Sequence, residues 1–248
     1  MNRPAPRTLA VVRKTTLTPN MLRITLGGDG MASFPPDQAS AYVKLMFPHP
    51  GDERPITRTY TVRAQRDHEI DIDFAIHADG GPAANWAIDA QPGDSIMVGG
   101  PGPKKMLDPE ADWFLIVGDM TALPAIGVNI ESLPAHARGH AVIEVVGEAD
   151  IQALEAPKGL SVHWVINPHP GHDSNTLFNA VKTLDWPAGR PSVWAACEFS
   201  GMRKLRGYFR NERGLDKTCL YISSYWKLGS SEERHKIVKR EDEQTVNS

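Results

Sequence analysis

The run WFLIVGD at residues 113–119 divides this sequence into two regions with different residue patterns. Residues 113–118 are all apolar or glycine, which is typical of a strand buried on both faces of a parallel sheet. Strand-like and helix-like segments alternate after this run, as they do in the βαβ units of a doubly wound sheet. The pattern predicts a Rossmann-like parallel-sheet domain over residues 111–248.

The elements predicted downstream of this run follow one another with short connections. In chain order we expect a helix over 123–133, a strand over 140–147, a short helix, a strand over 160–167, a helix near 177–184, a strand over 192–198, a helix over 202–211 and a last strand over 219–226. The charged tail after Tyr225 is expected to form a terminal helix that frays into disorder.

Upstream of the run, the pattern is that of β-strands. Short segments rich in Val, Ile, Thr and Tyr are separated by Gly, Pro and Asp at intervals typical of a barrel or sandwich. In EIDIDFAIH, residues 69–77, the residues Ile70, Ile72, Phe74 and Ile76 alternate with acidic or small ones, which places one apolar face against a core. The sequence therefore predicts an N-terminal antiparallel β-barrel over residues 1–110.

Composition excludes several classes of protein. The formal net charge of −3 over 248 residues is not suited to nucleic-acid binding. Cys197 and Cys219 are too few for a disulfide framework, and no secretory signal or membrane-spanning stretch is recognisable. His163, His169 and His172 lack an acidic or cysteine partner at ligand spacing, so no metal site is predicted. We expect a cytoplasmic monomer that binds neither nucleic acid nor membrane.

The segment RTYTVR, residues 58–63, is the first candidate binding motif. On a strand, Arg58, Tyr60 and Val62 share one face, and the intervening residues share the other. A flavin dinucleotide needs a flat aromatic partner for its isoalloxazine ring and a cation for its pyrophosphate. Tyr60 would supply the first and Arg58 the second. The alternative is a polar edge strand, since Thr, Arg and Tyr are all common in strands.

Three glycine-containing segments add candidate sites. In HADGGPAANWA, residues 77–87, small residues before a helix start suit backbone amides around a pyrophosphate, although a plain strand-to-helix turn has the same composition. The segment QPGDSIMVGGPGPKK, residues 91–105, ends on two lysines that either bind a ligand or are merely solvated. GDMTALPAI, residues 118–126, follows the first parallel strand, where open α/β sheets bind ligands, but it lacks GxGxxG.

Six motifs in this order resemble those of the siderophore-interacting proteins, also called ferric-siderophore reductases. They are RTYTVR, GPAANWA, QPGD, GDMTALPAI, ACEFSGMRKLR and SSYWK, and the resemblance covers roughly residues 9–235. It implies a flavin reductase-like β-barrel followed by a Rossmann-like domain, with non-covalently bound FAD as the cofactor.

The resemblance also implies roles for particular residues. By position it assigns the FAD site to Arg58, Tyr60, Thr61, Val62, His77, Ala83, Ala84, Asp119, Thr121, Ala122, Pro124, Tyr225 and Trp226. For the substrate it implies a pocket of basic residues, one of which matches Lys44. A second position, often arginine in the family, is Gly102 here, so Lys104 or Lys105 is expected to substitute. Lys227 is expected to supply the third charge.

The function implied by the resemblance is single-electron transfer from FAD to a ferric siderophore, which releases iron(II) in the cytoplasm. The electron donor is NADH, NADPH or ferredoxin, and the tail after Trp226 favours ferredoxin if it covers the nicotinamide side. Two alternatives remain open. One is a general NAD(P)H–flavin oxidoreductase that feeds a protein partner, and the other is a siderophore carrier without redox activity.

Overall fold

A computed structural model of the chain describes residues 5–48, 54–77 and 80–247. The chain divides into two compact units, which we call the barrel unit (Met1–Met106 with Gly127–Asn129) and the sheet unit (Leu107–Ile126 with Ile130–Ser248). None of the helices within the described ranges is long and apolar enough to cross a membrane.

The barrel unit is a closed antiparallel barrel with the strand order β1-β2-β5-β4-β3-β6. Its strands are β1 (Arg7–Thr18), β2 (Met21–Gly27), β3 (Tyr42–Phe47), β4 (Ile56–Arg66), β5 (Glu69–Ala75) and β6 (Ser95–Gly99). A 3-10 turn (Asp29–Ser33) follows β2, and helix α1 (Pro82–Asp89) follows β5. This architecture confirms the predicted N-terminal barrel.

Alternation along β5 defines the barrel core. Ile70, Ile72 and Phe74 are fully buried inside the barrel, as their spacing predicts. The intervening Asp71 and Asp73 are buried as well, because arginine side chains of neighbouring strands bind their carboxylates. The outer face of β5 is therefore an ion-pair network and not a solvent-exposed polar surface.

The sheet unit is built on a parallel sheet with the strand order β11-β10-β7-β8-β9. Its elements are β7 (Trp113–Gly118), α2 (Leu123–Glu131), β8 (Arg138–Val145), β9 (Gly159–Ile166), α3 (Thr176–Lys182), β10 (Pro191–Glu198), α4 (Phe199–Gly207), β11 (Leu220–Trp226) and α5 (Glu232–Asn247). The strand order reverses between β7 and β10, which is the topological switch point at which doubly wound sheets bind ligands. The predicted Rossmann-like domain is confirmed.

Strand β7 is the central buried strand that its composition predicts. All of its residues are buried, and it pairs with β10 on one side and β8 on the other. A Cβ at Gly118 would lie 2.6 Å from the Ala196 carbonyl oxygen, so glycine is required where the strand ends.

Two predicted helices differ in type from the expectation. The helix predicted between β8 and β9 is a 3-10 turn (Glu148–Asp150), and α4 continues into a π-helical turn (Tyr208–Glu212).

The terminal helix α5 confirms the helix predicted for the charged tail. Its His235 Nε2 lies 2.8 Å from the Ser224 hydroxyl of β11, and its Lys239 donates to the Ser223 hydroxyl at 2.6 Å. Arg206 of α4 binds the Asp242 carboxylate through both terminal nitrogens. The helix is thus held to β11 through His235 and Lys239 and to α4 through Asp242.

Candidate functional site

Strand β4 presents the RTYT segment between β3 and β5. Val62 is fully buried in the barrel core, and Tyr60 packs on Phe74 with ring centroids 4.3 Å apart while remaining partly exposed. Arg58 is also partly exposed and donates from Nη1 to the Thr57 carbonyl at 3.0 Å. Tyr60 and Val62 therefore lie on the same, core-facing side of the strand, as the alternation predicts.

The opposite face of β4 continues onto β3. Lys44 pairs with Thr59 across the two strands, and its ammonium donates to the Thr59 hydroxyl. Tyr42 pairs with Thr61, which is 8% exposed. Because directly opposed residues share a face of the sheet, these four side chains form one outer surface of the barrel. Lys44 and Thr59 thus form the next pair on this face after Tyr42 and Thr61, two positions along the ladder.

The predicted strand-to-helix turn is observed at the start of α1. Gly80 adopts a left-handed φ of 62°, and a Cβ on Gly81 would meet no atom within 4 Å, so the backbone there borders open space. Ala83 and Ala84 are buried in the first turn of the helix, where backbone N–H groups lack intrahelical acceptors. His77 is exposed before this turn.

These barrel residues fit FAD. Tyr60 supplies a partly exposed ring, Arg58 supplies a cation, and the first turn of α1 supplies backbone donors beside open space. A helix start with small residues is a common binding place for phosphate groups. The arrangement therefore offers groups suited to two chemical parts of the cofactor, the flavin ring and the pyrophosphate.

At the switch point of the sheet unit, Asp119 follows the end of β7. Its Oδ1 accepts from the Thr121 amide at 2.9 Å and the Thr121 hydroxyl at 2.6 Å. Its Oδ2 accepts from the Glu198 amide at 2.9 Å and from Trp226 Nε1 at 2.7 Å. Burial raises the pKa of the Asp119 carboxyl. Both oxygens of the carboxylate thus accept hydrogen bonds from the protein, and the bond from Trp226 fixes the orientation of that indole ring.

The start of α2 lies beside Asp119. Ala122 is fully buried, so only its backbone is suited to contact a ligand. Pro124 is the second residue of the helix, where its missing N–H breaks no intrahelical bond. Thr121 is partly exposed.

The end of β11 holds the two predicted aromatic residues. Trp226 lies against Gly171, where a Cβ would come within 2.8 Å of the indole ring. The Tyr225 ring centroid is 6.2 Å from that of Trp194, and burial raises the pKa of the Tyr225 hydroxyl well above its ordinary value. Lys227 places its ammonium 4.8 Å from the Phe199 ring centroid.

A buried carboxylate that the sequence analysis missed lies on β8. Burial, with the neighbouring carboxylates of Asp119 and Glu198, raises the pKa of Glu144 to about 7. The signal was present, because Glu144 interrupts an apolar strand that is buried throughout this stretch. Glu198 caps the start of α4, since its side chain accepts hydrogen bonds from the amides of Ser200 and Gly201. Burial, followed by these carboxylates, raises the pKa of the Cys197 thiol well above its ordinary value.

The predicted substrate lysines differ in their surroundings. Lys104 forms an ion pair with Asp37 at 2.8 Å, a partner that the sequence analysis missed because it lies far away in the chain. Lys105 is exposed. Lys44, Lys104 and Lys105 belong to the barrel unit, whereas Lys227 belongs to the sheet unit.

The three histidines set aside in the sequence lie on or after β9. His163 contacts His140 across β8 and β9 with ring nitrogens 3.2 Å apart, and His169 and His172 follow the strand with ring centroids 6.2 Å apart. Among the residues that the structure describes, no three His, Cys, Asp or Glu side chains are arranged so that they could hold a metal ion.

A barrel that fits FAD, joined in one chain to a doubly wound unit with its switch point, defines an FAD-dependent oxidoreductase of the two-domain flavin reductase type. The siderophore-interacting FAD-binding domain matches residues 10–53 and 49–105, and the siderophore-interacting protein domain matches residues 111–229. The chain belongs to the siderophore-interacting protein family.

Relatives of known name support this assignment. Ferric vibriobactin reductase ViuB of Vibrio cholerae is 34% identical over 95% of this chain and 96% of its own length. The NADPH-dependent ferric-chelate reductase of Escherichia coli is 28% identical over 89% of this chain and 92% of its own length. The crystal structure of the siderophore-interacting protein SipS from Aeromonas hydrophila superposes with a TM-score of 0.87 at 34% identity, covering 100% of this chain and 99% of that one.

Proposed function

We propose that this protein transfers single electrons from FAD to ferric siderophores and thereby releases iron(II) in the cytoplasm. The observation that carries the proposal is the outer barrel surface on which Lys44 and Thr59 lie beside Thr61 of the flavin-binding motif. The names of the Vibrio cholerae and Escherichia coli relatives, both ferric reductases, support the same chemistry.

The proposed division of labour follows the two domains, residues 1–110 and 111–248. When bound, FAD accepts a hydride or electrons and releases electrons one at a time. Arg58 and the amides of Ala83 and Ala84 would bind the pyrophosphate, with His77 beside them, while Tyr60, Thr61 and Val62 would position the ring. Asp119 would hold Trp226 in place at the cofactor, with Thr121, Ala122 and Pro124 toward its AMP end and Tyr225 beside Trp226.

The reduction of iron(III) to iron(II) needs one electron and no proton. The mechanism therefore requires no general base, and the protein's task is to bring an iron chelate close to the flavin. Lys44, Lys105 and Lys227 would attract anionic chelates, with Lys104 contributing less because Asp37 offsets its charge. Capture of an anionic chelate should then weaken as the salt concentration rises.

For the electron donor we propose ferredoxin. Helix α5 follows the predicted flavin-contacting aromatic residues in the chain, and His235 and Lys239 fasten it to Ser224 and Ser223, the two residues of β11 just before that pair. A nicotinamide donor is favoured instead by the name of the Escherichia coli relative. If the protein turned over steadily with NADPH alone, at concentrations found in cells, we would conclude that NADPH and not ferredoxin is the donor. The proposal treats the protein as a monomer.

The test begins with the visible spectrum of the purified protein. Photoreduction without oxygen, followed by a ferric siderophore and an iron(II) chelator, should reoxidise the flavin as the iron(II)–chelate colour grows. A protein that neither carries nor takes up FAD would overturn the proposal in favour of a carrier. If the double substitution K44A/K105A left the rate of ferric siderophore reduction unchanged, the general oxidoreductase would be favoured, because that function needs no basic pocket.

A further inference from the structure

Tyr42 is an exposed aromatic residue at the start of β3. It lies opposite Thr61 and two residues before Lys44, so its side chain shares the outer surface with Lys44 and Thr59. With 39% of its surface exposed, its ring is accessible to a ligand. An aromatic ring therefore stands on the same surface as the proposed entry point of the iron chelate.

The ring is held in place by the backbone of the loop after β6. A Cβ at position 102 would come within 2.0 Å of Tyr42 Cζ, so the ring occupies the space that any side chain at Gly102 would need. The Gly102 amide also donates to the Tyr42 carbonyl at 2.8 Å. Beneath the loop, Arg7 Nη1 donates to the Gly100 carbonyl at 2.7 Å. Glycine at 102 thus permits a fixed position of Tyr42.

Lys44 places a positive charge beside the Tyr42 ring. The Lys44 ammonium lies 5.6 Å from the centroid of the Tyr42 ring, and it also donates to the Thr59 hydroxyl. The nearby Lys104 is paired with Asp37. A ligand that contacts Tyr42 therefore meets an aromatic ring with the Lys44 cation beside it.

We infer that Tyr42 determines substrate specificity by stacking on the aryl rings of ferric catecholate complexes. Such complexes are anionic and present flat aromatic edges, whereas hydroxamate complexes carry no aryl group on the metal-binding oxygens. Aromatic contacts favour the first class, and Lys44 attracts its charge. The inference rests on the proposed function for the identity of the ligand as an iron chelate.

Gallium(III) complexes test this inference without any reduction, because gallium(III) matches iron(III) in charge and size but does not accept one electron. We would measure the Kd of gallium(III)–enterobactin, a tris(catecholate), and of gallium(III)–desferrioxamine B, a trihydroxamate, by calorimetry with the FAD-loaded protein. Wild-type protein should prefer the catecholate. Tyr42→Leu should weaken catecholate binding about 10-fold and change hydroxamate binding by less than about twofold.

Three further variants separate stacking from general damage. Tyr42→Phe keeps the ring and should retain the preference. Gly102→Ala should displace the ring and reduce the preference without touching Tyr42 itself. Val12→Ala, which removes an exposed apolar side chain on β1, should leave both Kd values unchanged. Equal weakening of both ligands by Tyr42→Leu and Gly102→Ala, or no effect of either variant, would overturn the inference.

The outcome is distinguishable from that of the reductase proposal. If gallium chelates bind with a preference that depends on Tyr42 but iron chelates are not reduced, the reductase proposal fails and Tyr42 remains a specificity residue of a binding protein. If iron chelates are reduced equally well by wild type and Tyr42→Leu whatever their chemistry, the reductase proposal stands and the role of Tyr42 fails.

Discussion

The outer face of the barrel and the carboxyl end of the parallel sheet both gather carboxylates, but each balances them with different partners. On the barrel, arginines do so: Arg23 binds Asp73 at 2.7 Å, Arg66 binds Asp71 at 2.7 Å and Arg13 binds Glu69 at 2.8 Å. In the sheet unit, the carboxylates of Asp119 and Glu198 are bound by amide, hydroxyl and indole donors. Within the described part of the chain, no lysine or arginine forms an ion pair with these two or with Glu144.

This difference moves the pKa values in opposite directions. Hydrogen bonds from Arg13 and Arg66 lower the pKa of Glu69 to about 2, whereas burial raises the pKa of Glu144 to about 7. The barrel carboxylates thus stabilise the fold when ionised, and Glu144 is stabilising only when protonated. Two acidic groups in one chain therefore have different consequences: Glu69 stabilises the fold in its ionised form, and Glu144 is favoured in its neutral form on a strand of the parallel sheet.

The largest expected effect comes from breaking the arginine-balanced region. Asp71→Ala should lower the free energy of unfolding of the protein by about 2–3 kcal/mol, because Arg66 and Arg23 lose a buried partner. Urea unfolding followed by circular dichroism measures this. Asp108→Ala, which removes an exposed ion pair with Arg190, is the control and should cost less than about 1 kcal/mol. If both variants lost the same free energy of unfolding, burial of the ion-pair network would contribute nothing to stability.

The second effect concerns the sign of the pH dependence at Glu144. Because its pKa is about 7 in the folded protein and near 4.5 unfolded, the folded state holds an extra proton between these values. Its contribution to stability is therefore full below about pH 4.5 and lost as the pH rises through about 7. Glu144→Gln should stabilise the protein by about 1–2 kcal/mol at pH 8 relative to wild type, with little change at pH 5.

Parallel urea titrations at the two pH values give this difference. A Glu144→Gln variant whose stability relative to wild type does not change with pH would contradict the neutral-acid interpretation.

A third prediction tests whether Asp119 acts by positioning Trp226. Asp119→Asn turns an amide NH₂ toward N–H donors and should cost about 1–2 kcal/mol of stability. It should also shift the tryptophan emission spectrum, and Trp226→Phe should remove that shift when combined with it. The positioning role would be contradicted if the Asp119→Asn variant were more stable than wild type or if its emission spectrum were unchanged.

The smallest effect lies at the rim of the barrel network. Glu69 is partly exposed, so Glu69→Gln should cost less than about 1 kcal/mol at pH 7. The contribution of Glu69 is present above about pH 4.5 and is lost as the pH falls toward about 2, because its pKa is depressed in the folded state. Wild type and variant should therefore converge in stability during an acid titration. Persistence of the difference at pH 2 would assign it to packing and not to charge.

Much of the fold was predictable because hydrophobic periodicity is local. The uninterrupted run of β7 and the alternation of Ile70, Ile72 and Phe74 were each sufficient to predict their strands, and the apolar residues of both strands are buried as predicted. The burial of Asp71 was not predictable, since it depends on Arg66 and on Arg23 of another strand. Which residues of two strands lie opposite each other depends on the register of the pair, and the sequence of one strand alone does not determine that register.

The candidate site was predictable as motifs but not as contacts. The resemblance supplied Arg58, Tyr60 and Trp226, whose roles remain predictions. It did not supply the hydrogen bond that joins Asp119 to Trp226 over 107 positions, or the packing of Tyr42 on Gly102. Such contacts join distant segments, so neither composition nor spacing reveals them.

The closed barrel described above has a consequence for how the protein behaves at high concentration. A closed barrel has no edge strand on which another chain can add, whereas the parallel sheet has two, β9 and β11. Helix α5 is anchored on β11 through Ser223 and Ser224. Aggregation by strand addition would therefore involve the parallel sheet, and a lysine introduced at the exposed positions of β9 is the natural change for improving solubility during storage.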